Sequence, residues 1–294
     1  MVFSGVLTST NQNKVSGGYE PFTTKAQLQI AVDEWITDST TAAATYGDIN
    51  TWDVSQITNM AGLFQSKTTF NDDIGDWDVG NVTTMTKMFE SATNFNKDIG
   101  NWDVGNVSSF NNMFKGANNF NQDLNWNTSK ATSFNYMFFQ AYDFNGNITN
   151  WDTGNVTQAM HMFNNARAFN KDLNWNTSKL TLASAMFRNA FVFNGNIANF
   201  DTGNVTNMSS MFNNASSFNQ DISQWDVGKV NNFNNMFNGA TALNQDFTSN
   251  SNWETRLTER FEVSANNTLN FYSNGASYIA GNSTPSGAYP IIKA

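Results

Sequence analysis

Two families of side chains in this 294-residue chain have the type and spacing to do chemistry. The first is an acidic series, Asp53, Asp78, Asp103, Asp152, Asp201 and Asp226, each following an aromatic residue, with Asn127 and Asn176 filling the same place. Stacked carboxylates of this kind could chelate Ca²⁺, which takes several oxygen ligands. The competing use is an Asx-turn, in which each side-chain oxygen accepts from the backbone two residues on. Because asparagine replaces aspartate twice, the acceptor role fits better, and no cofactor is expected. A second set, Asp73, Asp98, Asp123, Asp172, Asp221 and Asp246, alternates with Asn147 and Asn196 and reads the same way.

The second family is aromatic and basic: Tyr136, Phe139, Tyr142, His161, Arg167 and Phe191. Each stands where equivalent positions elsewhere are mostly small or polar. An aromatic patch holding an arginine has the composition of an interaction hot spot. His161 is the only histidine and there is no cysteine, so a histidine cluster, a thiolate site or a disulfide is excluded within the chain. With no nucleophile motif or phosphate loop either, no catalytic residues and no enzymatic activity are expected.

These residues are placed by a phrase of about 25 residues that recurs eight times, with its tryptophan column at Trp52, Trp77, Trp102, Trp126, Trp151, Trp175, Phe200 and Trp225. Such a period predicts a stacked solenoid. Trp77-Asp78-Val79 reads as a short parallel strand. Val82, Met85, Met88, Phe89 and Ala92, spaced by threes and fours, read as a short helix or 3₁₀ turn. The closing asparagines, Asn71, Asn96, Asn121, Asn145, Asn170, Asn194, Asn219 and Asn244, are expected to stack as a ladder. Stacking also makes Tyr142, Arg167 and Phe191 one column, in which the guanidinium sits between two aromatic faces. Two copies are one residue short, at Asp123-Leu124-Asn125 and Asp172-Leu173-Asn174, and each precedes a copy reading F-N-G-N-I. Residues 120–168 and 169–217 thus form a duplicated two-coil unit.

Around the array the chain divides into an extended arm (1–22), a helical cap (23–49), the eight copies (50–247) and a C-terminal cap and tail (248–294). Thr24 with Gln27 predicts a capping box opening a helix whose inner face is Leu28, Ala31, Val32, Trp35 and Ile36. The net charge of −9 with 15 basic residues argues against a nucleic-acid partner. No apolar run is long enough to insert into a membrane. Sequons such as Asn81-Val82-Thr83 are expected of a chain this rich in Asn, Ser and Thr, and read first as turn chemistry.

The phrase D-I-x-x-W-D-V-x-N-V-x-x-M-x-x-M-F-x-x-A-x-x-F-N, as in Asp73 to Asn96, resembles the repeat of Mycoplasma lipoproteins and BspA-like leucine-rich repeat surface proteins. The resemblance covers about two thirds of the chain. It implies a leucine-rich-repeat-like solenoid, an extracellular or surface-displayed location, and adhesion to a protein or glycan of a cell surface, with no catalytic residues to carry over. The chain departs from that pattern in showing no signal peptide and no lipobox cysteine. A second expectation therefore stands beside it: a structural subunit of a viral particle or surface layer, contacting neighbouring subunits through its arm and tail.

Overall fold

The computed structural model describes residues 14–15, 18–245 and 253. Two short strands, β1 (Lys14–Val15) and β2 (Gly18–Tyr19), pair antiparallel and precede two helices, α1 (Lys25–Thr37) and α2 (Ser39–Tyr46). Thr24 opens α1 with the expected capping box: its hydroxyl accepts from the Gln27 amide, and the Gln27 side chain accepts from the Thr24 amide. Asp38 closes α1 and opens α2, accepting from Thr40 and Thr41. The helices bury Leu28, Ala31, Val32 and Trp35 against the first copy, where Phe22, Trp35 and Tyr46 surround the Trp52 ring. They cover apolar surface that the end of a stack would otherwise present to water.

The expected leucine-rich-repeat-like solenoid of short parallel strands and short helical segments is not what the repeats form. From 52 to 245 the described residues contain no strand and no helix. Trp77, Val79 and their equivalents do point inward and Asp78 outward, but this stretch makes no backbone ladder with its neighbours. Successive copies meet instead in single-residue parallel bridges, running from Asn59 through Thr84, Ser109, Ser133, Gln158, Leu182 and Asn207 to Asn232.

The supposed helix is a chain of turns. Met88, Glu90 and Ala92 donate three residues back, to Met85, Lys87 and Phe89, while the intervening amides leave the segment: Lys87 donates to Asn111, Phe89 to Met113 and Ser91 to Lys115, at 2.9, 2.9 and 2.7 Å. Two residues per copy, such as Lys87 and Ser91 or Tyr136 and Gln140, hold φ near +60°. A left-handed residue every fourth position prevents both a helix and a strand. It nonetheless leaves apolar side chains three and four apart, which is the pattern that imitates a helix.

Where the backbone does not join the copies, side chains do. The indoles of Trp77, Trp102, Trp126, Trp151, Trp175 and Trp225 each donate to the carbonyl of Ile49, Ile74, Ile99, Leu124, Ile148 and Ile197 in the preceding copy, at 2.8 to 3.2 Å. Where the valine after Trp-Asp becomes threonine, the buried hydroxyls of Thr128, Thr153, Thr177 and Thr202 donate to carbonyls of the next copy. Inside, Phe64, Phe89, Phe114, Phe138, Phe163, Phe187, Phe212 and Phe237 stack as one file with centroids 5.3 to 5.7 Å apart. A second file runs from Phe70 to Phe218.

The shortened copies have a matching geometry. The missing residue brings Asn147 over Asp123, so that its amide donates to the aspartate and Leu124 donates to its carbonyl, and Asn196 repeats this over Asp172 and Leu173. The chain then comes so close that a Cβ on Gly146 or Gly195 would lie 2.1 Å from the carbonyl oxygen of Gln122 or Lys171. Gly146→Ala is therefore expected to lower stability by about 3 kcal/mol or more, because backbone rather than a side chain must yield. Trp151→Phe, which orphans only the Leu124 carbonyl, should cost roughly 1–3 kcal/mol. Thermal and denaturant unfolding of the two variants checks both values and their order.

Candidate binding face

The acidic series is engaged in its own backbone. Asp53, Asp78, Asp103, Asn127, Asp152, Asn176, Asp201 and Asp226 each accept, through Oδ1, from the amide two residues on, at 2.8 to 3.2 Å. Of the second set, Asp73, Asp98 and Asp221 do the same, while Asp123 and Asp172 reach the following copy. Asp246 lies outside the described residues. The sequon asparagines Asn81, Asn106, Asn155 and Asn204 are likewise occupied, donating to carbonyls of the preceding copy.

The closing asparagines form the expected ladder. The amides of Asn96, Asn121, Asn145, Asn170, Asn194, Asn219 and Asn244 each donate to the side-chain oxygen of the asparagine one copy earlier, at 2.7 to 3.0 Å. The column sits at the surface and acts as a splint.

Among the aromatic and basic residues the structure separates two clusters. In the first, His161 stacks on Tyr136 with ring centroids 4.6 Å apart and planes within 6°. Phe139 approaches both, at 5.7 Å from Tyr136 and 6.4 Å from His161. Tyr136 and His161 are the left-handed residues of their turns, with φ of 58° and 57°, and this directs both side chains out of the turn one above the other. The buried Asn164 holds the imidazole: its Oδ1 is taken by Asn165, leaving its Nδ2 to donate to His161 Nδ1 at 2.9 Å.

The second cluster is the column Tyr142, Arg167 and Phe191. The Arg167 guanidinium lies 4.5 Å over the centre of the Tyr142 ring. Among the described residues Phe191 does not complete a sandwich; it stands 40% exposed beside Val192 at 44%, the two large apolar side chains left open to solvent. The backbone beneath is closed, since Ala168 donates to Tyr142 and Ser217 to Phe191.

Two residues of the face escaped the sequence reading. Asn164 looks like one of several asparagines after Met-Phe, and Arg188 like a solvated cation in that same column; only the three-dimensional position of His161 gives either a role. Burial holds the His161 pKa below its ordinary 6.5, and the positive charge of Arg188 adds to the shift. The matching column in the earlier copies is an ion-paired one, in which Glu90 accepts from Gln65 and is bridged by Lys115 at 2.8 Å. The aromatic cluster thus begins where that polar network ends.

The family model described as Mycoplasma protein of unknown function, DUF285, matches residues 32–125, 124–179 and 173–278. No curated protein and no solved structure matches the chain. Among the described residues no helix is long and apolar enough to cross a membrane.

Two measurements follow from this geometry. The unfolded chain takes up a proton on His161 near pH 6.5 while the folded chain resists it, so His161's contribution to stability is complete above pH 6.5 and is lost as the pH falls through that value toward the lowered one. Denaturant midpoints from pH 7.5 to 5 should fall more steeply in the wild type than in His161→Asn, asparagine being compatible with the left-handed turn. Second, with every member of the first acidic column turned to its own backbone, excess chelator should leave the melting temperature unchanged; a drop of several degrees would identify a bound cation.

Proposed function

The chain belongs to the Mycoplasma protein family of unknown function DUF285, and from that membership together with the geometry of copies four to six we propose a non-catalytic recognition or adhesion module, displayed on a surface, that binds its partner through the lateral face of the stack. The observation that carries this reading is the exposed Phe191–Val192 pair beside the Arg167–Tyr142 stack. Large apolar side chains side by side in water, flanked by a guanidinium whose aromatic support is already ordered, are what binding energy concentrates on.

The rest of the repeat surface supports the assignment by contrast. The corresponding positions in other copies are Thr68, Thr93, Asn118, Ser216 and Thr241, short polar residues that keep a stack soluble without offering an anchor. The acids and asparagines flanking them hydrogen-bond to their own backbone or to the next copy, which leaves them little to offer a ligand. The alternative of an assembly subunit working through its arm and tail rests on residues that fall largely outside the described ones, and no observation here favours it.

Phe191→Ala and Tyr142→Ala should each reduce attachment of the protein to a cell surface by tenfold or more, and the pair should abolish it, with melting temperatures shifted by no more than a few degrees because neither side chain is part of the core. Thr93→Ala, at the same column position two copies before Tyr142, should leave attachment unchanged. Equal attachment by wild type and double variant in a cell-binding assay would overturn the lateral face as the binding site.

A further inference from the structure

We propose that the lateral face takes an acidic glycan, with Arg167 and Arg188 receiving its anionic groups and Phe191 covering the apolar face of a sugar ring. The inference rests on the binding role just assigned and names the partner's chemistry.

The chain is acidic, with a net charge of −9, so an anion is repelled from most of its surface. Among the described residues most lysines are occupied: Lys67, Lys87 and Lys115 are ion-paired, Lys25 donates to the Ala61 carbonyl, and Lys130, Lys179 and Lys229 donate to asparagine oxygens. Arg167 and Arg188 are the two arginines among the described residues, they fall on adjacent copies, and neither guanidinium pairs with a described carboxylate. Arg167 is braced on the Tyr142 ring at 4.5 Å. A braced fork with unused donors is preorganised for a carboxylate or sulfate, which it grips through two parallel hydrogen bonds.

The second observation separates a glycan from an acidic peptide. A peptide that binds as an added strand needs unpaired amides and carbonyls on its host. Here the carbonyls of Tyr142 and Phe191 accept from Ala168 and Ser217, alternate amides of the neighbouring turns donate to the next copy, and residues 52–245 contain no strand whose edge could be extended. What the face puts forward is side chains: two exposed guanidiniums and an exposed aromatic–aliphatic pair. A sugar polymer presents what these can use, anionic substituents for the forks and patches of C–H surface for the ring. The copies also repeat by translation, the core phenylalanines advancing 5.7 and 5.5 Å through copies four to six, which suits a linear polymer lying along the stack.

The test is binding of the full chain to immobilised hyaluronate and heparin oligosaccharides, against neutral dextran and poly-glutamate, at low and physiological salt. The proposal expects salt-sensitive binding to at least one acidic oligosaccharide and none to dextran. It also expects a tenfold or greater loss in Arg167→Gln/Arg188→Gln and in Phe191→Ala, an intermediate loss in Arg167→Lys, and no change in Lys97→Ala, a cation on an earlier copy. Melting temperatures of the variants distinguish lost binding from lost fold. Absence of binding to both acidic oligosaccharides, undiminished binding by the double arginine variant, or tighter binding to poly-glutamate would each overturn it. If cell attachment still depends on Tyr142 and Phe191 while no acidic glycan binds, the glycan assignment fails and the binding face stands.

Discussion

Everything in this stack depends on one requirement: the polar groups of each copy must find partners one period away. A turn-rich chain has no internal ladder to satisfy its backbone, and buried amides and carbonyls left without partners are costly. The repeats meet this requirement in three ways. Alternate amides of the Met-Phe segment donate to the next copy, indoles donate to the carbonyl of the preceding one, and asparagine side chains accept from the following asparagine amide. Each device works only if equivalent residues lie in register, so the period is a hydrogen-bonding constraint before it is a packing one. The shortened copies show how tightly it binds: losing one residue after Asp123 or Asp172 is matched by a glycine in the following copy that lets two backbones close on each other.

That constraint also decides where function can reside. Positions that carry the ladders are not free to vary in kind. Variation collects instead at the left-handed residues and just after the alanine, where the side chain leaves the turn and the backbone alone does the joining. Tyr136, His161, Tyr142, Arg167 and Phe191 occupy such positions. An aromatic or basic residue can be placed there without disturbing the stack, and neighbouring copies bring residues far apart in sequence side by side, as with Tyr136 and His161 at 4.6 Å.

Much of this is legible in the sequence because periodicity makes columns. The asparagine ladder, the Asx-turns, the capping box at Thr24 and the inward pattern of Trp77 and Val79 follow from residue type and position. The local backbone does not. Spacings of three and four suggest a helix at Val82 to Ala92, and only φ values reveal that Lys87 and Ser91 are left-handed; glycine, the usual sign of such turns, appears there in few copies, at Gly62, Gly116 and Gly239. The face is legible to the same degree. A column argument finds Arg167 against Tyr142 but places Phe191 in a sandwich it does not join, and it misses Asn164 because a buried asparagine with a histidine partner and an exposed one look alike in sequence.

Amide hydrogen exchange on the asparagine column tests the central claim most directly. Asn96, Asn121, Asn145, Asn170, Asn194, Asn219 and Asn244 sit in surface turns, where an amide without a partner exchanges quickly, yet each donates to an asparagine one copy away. Coil-to-coil bonding predicts strong protection at all seven, lost locally at Asn145 when Asn121 is replaced by alanine. Rapid exchange along the column in the folded wild type would contradict the account.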